Sequence, residues 1–394
     1  MGPSEYGTGK GRGQMNRRQS HLAQQQHLTR KPPRHSRNML LALCAGVMLA
    51  AGPAVVGYPA AQVRAETAGP LSIVSQQIVI DGNSVMLPTA NVDGNTYIGL
   101  RSLNEQLGLA TDWNPDERMV TASGRGRTLT LELDNGMYTL NGQNLYGLPA
   151  ILQDGSVYMP LRFLLEQMGY GISYDPASRV IGIETIREND LTIETFKIAE
   201  ERVKQSLLVH YPQIAGFANA DIQQSINAFL KEEAETHAKW GRDELSGAAA
   251  GNAEAEADND KLAIPPVSYE GTYRITYNQN NRLSLYVDYY IYTGGAHGLT
   301  VRQPYTFDLL TGKQLSLKEA SEGNANYVAI INDVIRTHIR ELDLPMLASF
   351  ESIEPERAFF LKNDAVVIYF EQYEYTPYAA GMPEFEIPFE AFRK

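Results

Sequence analysis

The sequence predicts an α+β protein in two folded parts: a small α/β domain with two repeated units, then an antiparallel-sheet domain with packed helices. Three observations carry this. Residues 94–120 and 155–181 repeat each other at an offset of 61. Tyrosine-rich stretches of period two flank a glycine-rich corner at 292–298, and that period puts alternate side chains on one face of a strand. Two further segments, 221–237 and 324–342, space their apolar residues for one buried helical face.

The first 65 residues stand apart from both folded parts. They hold nine basic side chains against one acid, Glu5, and contain the apolar run 39–51. This is the layout of a secretory signal with a long basic leader, and Val63, Arg64 and Ala65 offer a cleavage point. Pro53 and Pro59 leave the run short for a bilayer span, and an uncleaved membrane anchor is the alternative. Cys44, the only cysteine, lies inside the run, so the exported chain is expected to have no thiol, disulfide or cysteine metal ligand. Beyond residue 65, 45 acids face 25 bases. Such a field repels nucleic acid and anionic lipid and attracts cationic proteins.

Within the repeat, Tyr97 matches Tyr158, Leu100 and Arg101 match Leu161 and Arg162, and Leu103 matches Leu164. Glu105 and Gln106 then match Glu166 and Gln167, Gly108 matches Gly169, Pro115 matches Pro176 and Arg118 matches Arg179. Each copy reads as a strand carrying the tyrosine, a short helix, a glycine stop, an aromatic followed by a turn, and a return strand. Arg101 and Arg162 are expected to pair with Glu105 and Glu166 one helical turn on. The pattern resembles the stalk domain of the copper amine oxidase N-terminal type, over residues 78–186. The resemblance implies a spacer or wall-attachment module and no copper chemistry, since residues 78–186 contain no histidine. No metal or cofactor is expected.

The second part spans residues 190–394. Residues 194–208 fit strand or helix, 221–237 form an amphipathic helix, and the small, acidic segment 246–260 is expected to be a mobile loop. Tyr269, Tyr273, Tyr277, Leu283, Leu285, Val287, Tyr289 and Ile291 precede the corner, and Val301, Tyr305, Phe307 and Leu309 follow it. A helix over 324–342 and a central strand over 365–370 come next, and a strand through Phe385, Ile387 and Phe389 closes the fold. The glycines of the corner allow close approach, so His297 is presented to a partner. Thirteen tyrosines lie between 267 and 394, and aromatic rings stack on sugars and anchor interfaces. Tyr292, Gly294, Gly295, His297, Tyr373 and Tyr375 are the candidate ligand-binding residues.

The corner at 292–298, the run Tyr305, Thr306, Phe307, Asp308, Leu309, Leu310, Thr311, Gly312, Lys313, and the upstream Val209, His210, Tyr211, Pro212 carry a second resemblance. It is to the C-terminal domain, of DUF4163 and DUF3298 type, shared by lysozyme-sensing anti-sigma factors and the non-catalytic region of a peptidoglycan deacetylase of Gram-positive bacteria. What it implies is an extracytoplasmic protein, secreted or wall-associated, whose partner is peptidoglycan, another wall glycan, or a cationic protein such as lysozyme. A catalytic role is not expected. Asp308 is followed by Leu309 where a deacetylase has a second aspartate, and His210, His237, His297 and His338 include no pair four apart. The remaining enzymatic alternative is a cryptic wall hydrolase built from Glu371, Glu374, Glu384 or Glu386, since a glycosidase needs only two carboxylates.

Overall fold

The computed structural model describes residues 70–134, 136–259 and 261–393; the leader and apolar run of residues 1–65 lie outside them. All described residues belong to one unit, Val55–Lys394.

The first repeat copy is built from β1 (Val74–Ile80), β2 (Asn83–Val92), β3 (Asn95–Gly99), α1 (Leu100–Leu107), β4 (Ala110–Asn114) and β5 (Met119–Gly124). After β6 (Arg127–Glu132), β7 (Met137–Leu140), β8 (Gln143–Leu145) and β9 (Ile151–Gln153), the second copy runs β10 (Ser156–Pro160), α2 (Leu161–Gln167), β11 (Tyr170–Asp175) and β12 (Val180–Thr185). Both helices stop at the expected glycines, Gly108 at φ 64° and Gly169 at φ 84°, where a left-handed residue is needed. Both turns repeat in detail. Asn114 Oδ1 accepts from the Asp116 N–H and Asp175 Oδ1 from the Ala177 N–H, and Arg118 and Arg179 follow at φ 48° and 58°. The matched arginines thus mark a backbone position. Arg162 pairs with Glu166 at 3.2 Å as expected; no matching pair is seen for Arg101 among the described residues.

The strands that carry Tyr97 and Tyr158 pair antiparallel, so the two copies meet along β3 and β10. A seven-stranded sheet, β11-β12-β1-β2-β3-β10-β9, and a five-stranded sheet, β4-β5-β6-β7-β8, enclose one core that includes Ile78, Ile98, Leu103, Leu129, Met159 and Leu164.

The second part begins with β13 (Thr192–Arg202) and β14 (Gln205–Ala215), so the ambiguous residues 194–208 are strand. Next come α3 (Ala220–Asp258), β15 (Val267–Gln279), β16 (Arg282–Tyr292), β17 (Leu299–Asp308), α4 (Leu317–Ala320), α5 (Tyr327–Glu341), β18 (Phe359–Lys362), β19 (Ala365–Tyr369) and β20 (Glu384–Pro388). Helix α3 buries Ile222, Ile226, Leu230, Ala234, Ala238 and Leu245. It runs through residues 246–258, so the expected mobile acidic loop is a correction. Alanines at 248–250, 253, 255 and 257 supply the best intrinsic helix former, which outweighs the small, acidic composition. The end of α3 is also tied down: Asn252 Nδ2 donates to Thr293 O at 2.9 Å, and Glu256 accepts from Lys204 Nζ and the Ile264 N–H, both at 2.7 Å.

Sheet β13-β14-β15-β16-β17 has α3 on one face, above Tyr269, Tyr289 and Tyr305, and sheet β18-β19-β20 against part of the other. Alternation along β19 sets the layers. Val366 and Ile368 join the core under α5, while Val367 and Tyr369 face the larger sheet at Tyr286. The outer edge of β17 is covered by side chains rather than by another strand. The Thr300 N–H donates to Gln372 Oε1 at 2.8 Å, and the Glu371 carboxylate feels the Arg302 backbone beside it. The two parts are joined by polar contacts: the Tyr273 N–H donates to Gln143 Oε1 at 3.0 Å, Lys362 lies 3.6 Å from Glu166, and Asn189 Nδ2 donates to Asn278 Oδ1 at 2.9 Å.

Candidate functional site: an aromatic cluster at the glycine corner

The corner joins β16 to β17, as the sequence predicts. Gly294 has φ 93°, and a Cβ there would lie 2.5 Å from Ile264 and 2.7 Å from Asn252, so this glycine lets the end of α3 clasp the corner. A Cβ at Gly298 would collide with the Tyr290 ring and the Ile291 carbonyl. Gly295 is exposed with open space around it. Tyr292 folds back on its own turn, its hydroxyl donating to Gly295 O at 2.9 Å. The outcome is a braced corner that holds His297 in solvent.

His297 Nδ1 lies 3.0 Å from Gly298 O. A carbonyl only accepts, so Nδ1 carries the proton and Nε2 is left to accept from the Tyr373 hydroxyl at 3.3 Å. Tyr378 stacks on the imidazole with ring centroids 4.0 Å apart and 21° between planes, and Tyr373 lies 5.8 Å from Tyr378. Tyr373 adopts φ 64°, a left-handed conformation that costs a bulky residue about 1–2 kcal/mol. Its loop holds it there. The Glu371 N–H donates to Glu374 Oε2 at 2.9 Å, and Arg357 grips Glu374 with two nitrogens at 2.5 and 2.6 Å.

A fourth ring comes from the repeat domain. Tyr146 is 68 % exposed, yet its hydroxyl is partly screened from water and close to Glu270 and Tyr378, which raises its phenol above the ordinary value. Sequence reasoning passed over Tyr146 and Tyr378 as site residues. Tyr378 shared the signal of its neighbours Tyr373 and Tyr375, whereas Tyr146 lies in a non-periodic loop and reaches the site only through the docking of the two parts. Of the candidates, the structure brings together His297 and Tyr373, with Tyr292, Gly294 and Gly295 shaping the corner. Tyr375 is not in the cluster; its ring packs on Phe370 at 4.6 Å and Phe350 at 5.6 Å.

Three of the four carboxylates considered for hydrolysis have structural partners. Glu374 belongs to Arg357, Glu386 accepts from Lys362 at 2.9 Å, and Glu384 from Arg302 at 2.6 Å. Arg302 also grips Asp288 at 2.7 and 2.8 Å and lies 3.8 Å from the centre of the Tyr286 ring. Burial alone would lower this guanidinium; its carboxylate and ring partners hold it above its ordinary value. Glu371 is pushed up to about 7, first by burial and then by Glu374. His237, on the side of α3 that faces the sheet and stacked on Tyr289 at 3.9 Å, is lowered by burial to about 4. Among the described residues no group of three or more His, Cys, Asp or Glu is placed to hold a metal, and no helix is long and apolar enough to cross a membrane.

Fold and site together define a two-part α+β protein with a partly exposed cluster of tyrosine rings and one imidazole. Residues 79–183 match the family model for the copper amine oxidase N-terminal domain, residues 198–300 that for deacetylase PdaC, and residues 320–390 that for a protein family of unknown function, DUF3298. The matches follow the domain order implied by the two sequence resemblances. Seven chains of known structure match. One, a DUF3298 family member from Bacteroides fragilis, is 19 % identical, covers 52 % of this chain and 94 % of its own, and superposes with a TM-score of 0.40. Another, a DUF3298 family protein from Pseudomonas aeruginosa, is 18 % identical over the same shares, with a TM-score of 0.32. No curated protein matches.

Proposed function

We propose that this is an exported, non-enzymatic cell-envelope protein that binds a wall glycan through the ring cluster at the glycine corner. The observation that carries the reading is the stacked His297 and Tyr378 pair, with Tyr373 held in a strained conformation to reach it. Flat, exposed rings with polar edges suit the apolar faces and hydroxyls of sugars. Strain maintained by a braced loop is a mark of functional positions. The matches to envelope-type families favour the same setting.

The test is co-sedimentation of the purified protein with isolated Gram-positive walls. Wild type should pellet, and Tyr378→Ala should bind about tenfold more weakly, the loss of one stacking contact. Walls that leave the wild type in solution, or a Tyr378→Ala variant that binds equally well, would sink the reading. The excess of acids gives a cationic protein such as lysozyme second place. Retention of lysozyme that weakens steeply with salt, without wall binding, would put it first. Soluble muropeptides released by the wild type and not by Glu371→Gln would instead make it a hydrolase.

A further inference from the structure

A cleft of about 260 Å³ lies between the repeat domain and the second part, lined by Tyr146, Phe163, Arg274, Tyr286, Lys362 and Glu384 among others. Its charges are almost all matched. Glu188 is held by Arg125 and Arg127, Glu166 by Arg162 and Lys362, and Glu384 by Arg302. Arg274 is the exception. Its guanidinium donates only to two backbone carbonyls, Tyr273 O at 2.7 Å and Asn144 O, and has no carboxylate partner among the described residues. Asp288, whose field reaches it, is chelated by Arg302. Burial lowers the Arg274 guanidinium from its ordinary value, as an unpaired and poorly hydrated cation requires.

An arginine left in this state is a fork of unused donors suited to a planar oxyanion. The walls favour a single negative charge, because Glu166, Glu188 and Glu384 already line the cleft and would repel a dianion. Strand β15 runs from the cleft toward Glu270, whose charge acts on the cleft residue Tyr146. Glu270 and Arg274 lie on the same face of β15, in register with Tyr290 and Tyr286 of β16, about 13 Å apart along the strand. Tyr146 lines the cleft, and its phenol is raised by burial and by the fields of Glu270 and Tyr378.

We propose that this cleft binds a carboxylate carried by the glycan that the ring cluster holds, with Arg274 as the anion-binding residue and Tyr146 as the ring between the two subsites. The proposal rests on the glycan reading above and narrows it to an acidic sugar polymer, such as one bearing lactyl or peptide carboxylates.

The experiment is an NMR titration of the purified protein with three probes: the disaccharide of N-acetylglucosamine and N-acetylmuramic acid, neutral chitobiose, and glycerol 3-phosphate. The acidic disaccharide should bind at least about tenfold more tightly than chitobiose, the scale of one charge-assisted contact. Arg274→Gln should erase that preference and Arg274→Lys should keep part of it, with melting curves confirming that both variants fold. Tyr378→Ala should weaken both disaccharides equally and leave the preference intact. Equal binding of the two by the wild type, or a preference that survives in Arg274→Gln, overturns the proposal. Tighter binding of glycerol 3-phosphate than of the acidic disaccharide also overturns it and assigns the cleft to wall phosphates. If Tyr378→Ala binds both disaccharides as tightly as the wild type while the carboxylate preference still depends on Arg274, the cleft is upheld and the ring cluster is removed from the glycan reading.

Discussion

Arg302 holds Asp288 with two of its nitrogens and Glu384 with the third, and only 7 % of its side chain meets solvent. Removing that charge leaves two half-buried carboxylates facing one another. Arg302→Met is therefore expected to destabilise the protein by about 3 kcal/mol in urea unfolding, the lower end for a broken buried pair because Asp288 and Glu384 keep some contact with water. Arg302→Lys should lose less, since it keeps the charge and gives up only the fork. Glu371 acts in the opposite sense. Its carboxyl is raised from 4.5 to about 7, so folding favours the protonated form. The stability this group contributes is fully present below about pH 4.5 and is lost as pH rises to about 7. Glu371→Gln keeps the shape and polarity of the side chain without the buried charge, so it should match the wild type at pH 4 and exceed it at pH 8 by about 2–3 kcal/mol. An equal difference at the two pH values would show that burial of the charge is not the cause.

Helix α3 carries glycines of two kinds. A Cβ at Gly241 would lie 2.5 Å from the Tyr269 ring, whereas Gly247 and Gly251 face open space. Gly241→Ala should thus cost about 1–3 kcal/mol by overpacking. Gly251→Ala should stabilise the helix by about 0.5–1 kcal/mol, the usual penalty of glycine in an exposed helix interior. Opposite shifts in melting temperature would confirm that residues 246–258 are a working part of the helix; no effect at Gly251 would argue for a frayed end. The same segment shows where the sequence stops being legible. The repeat could be read because its signals are local: a glycine at each helix stop and an Asn or Asp before each Pro turn. The corner could be read for the same reason, from glycines interrupting period-two strands. The end of α3 was misread because weighting acids and missing aromatics hid the alanines, and because its anchors, Thr293 and Lys204, are 41 and 52 residues away along the chain. Tyr375 and Tyr378 carry the same sequence signal and are both half-buried, and only their packing partners, Phe370 and Phe350 for one and His297 for the other, separate them.

At the scale of the molecule, the site depends on how the repeat domain is seated. Parallel pairing of β14 with β15 ends at Val209 and Gly271, so the next N–H groups on that side of β15 need other partners. Tyr273 finds one in Gln143 Oε1, from β8 of the repeat domain, and Gln143 is only 3 % exposed. Its neighbour Asn144 supplies the carbonyl that accepts from Arg274. Two residues further on, Tyr146 lines the same cleft as Arg274. One short strand thus supplies a domain contact, a carbonyl for Arg274 and a ring of the cleft. Gln143→Ala would leave the Tyr273 N–H buried without an acceptor, a cost of about 1–3 kcal/mol concentrated at the junction. The wild type is expected to unfold in a single calorimetric transition, and Gln143→Ala in two, because each part keeps its own core while the contact between them is lost. The variant should also bind walls more weakly although every residue of the corner is intact, since Tyr146 would no longer be positioned by β8. A single transition at the wild-type temperature would mean that Asn189, Lys362 and Glu188 suffice to seat the domain. Two transitions with undiminished wall binding would mean that the corner acts without the repeat domain.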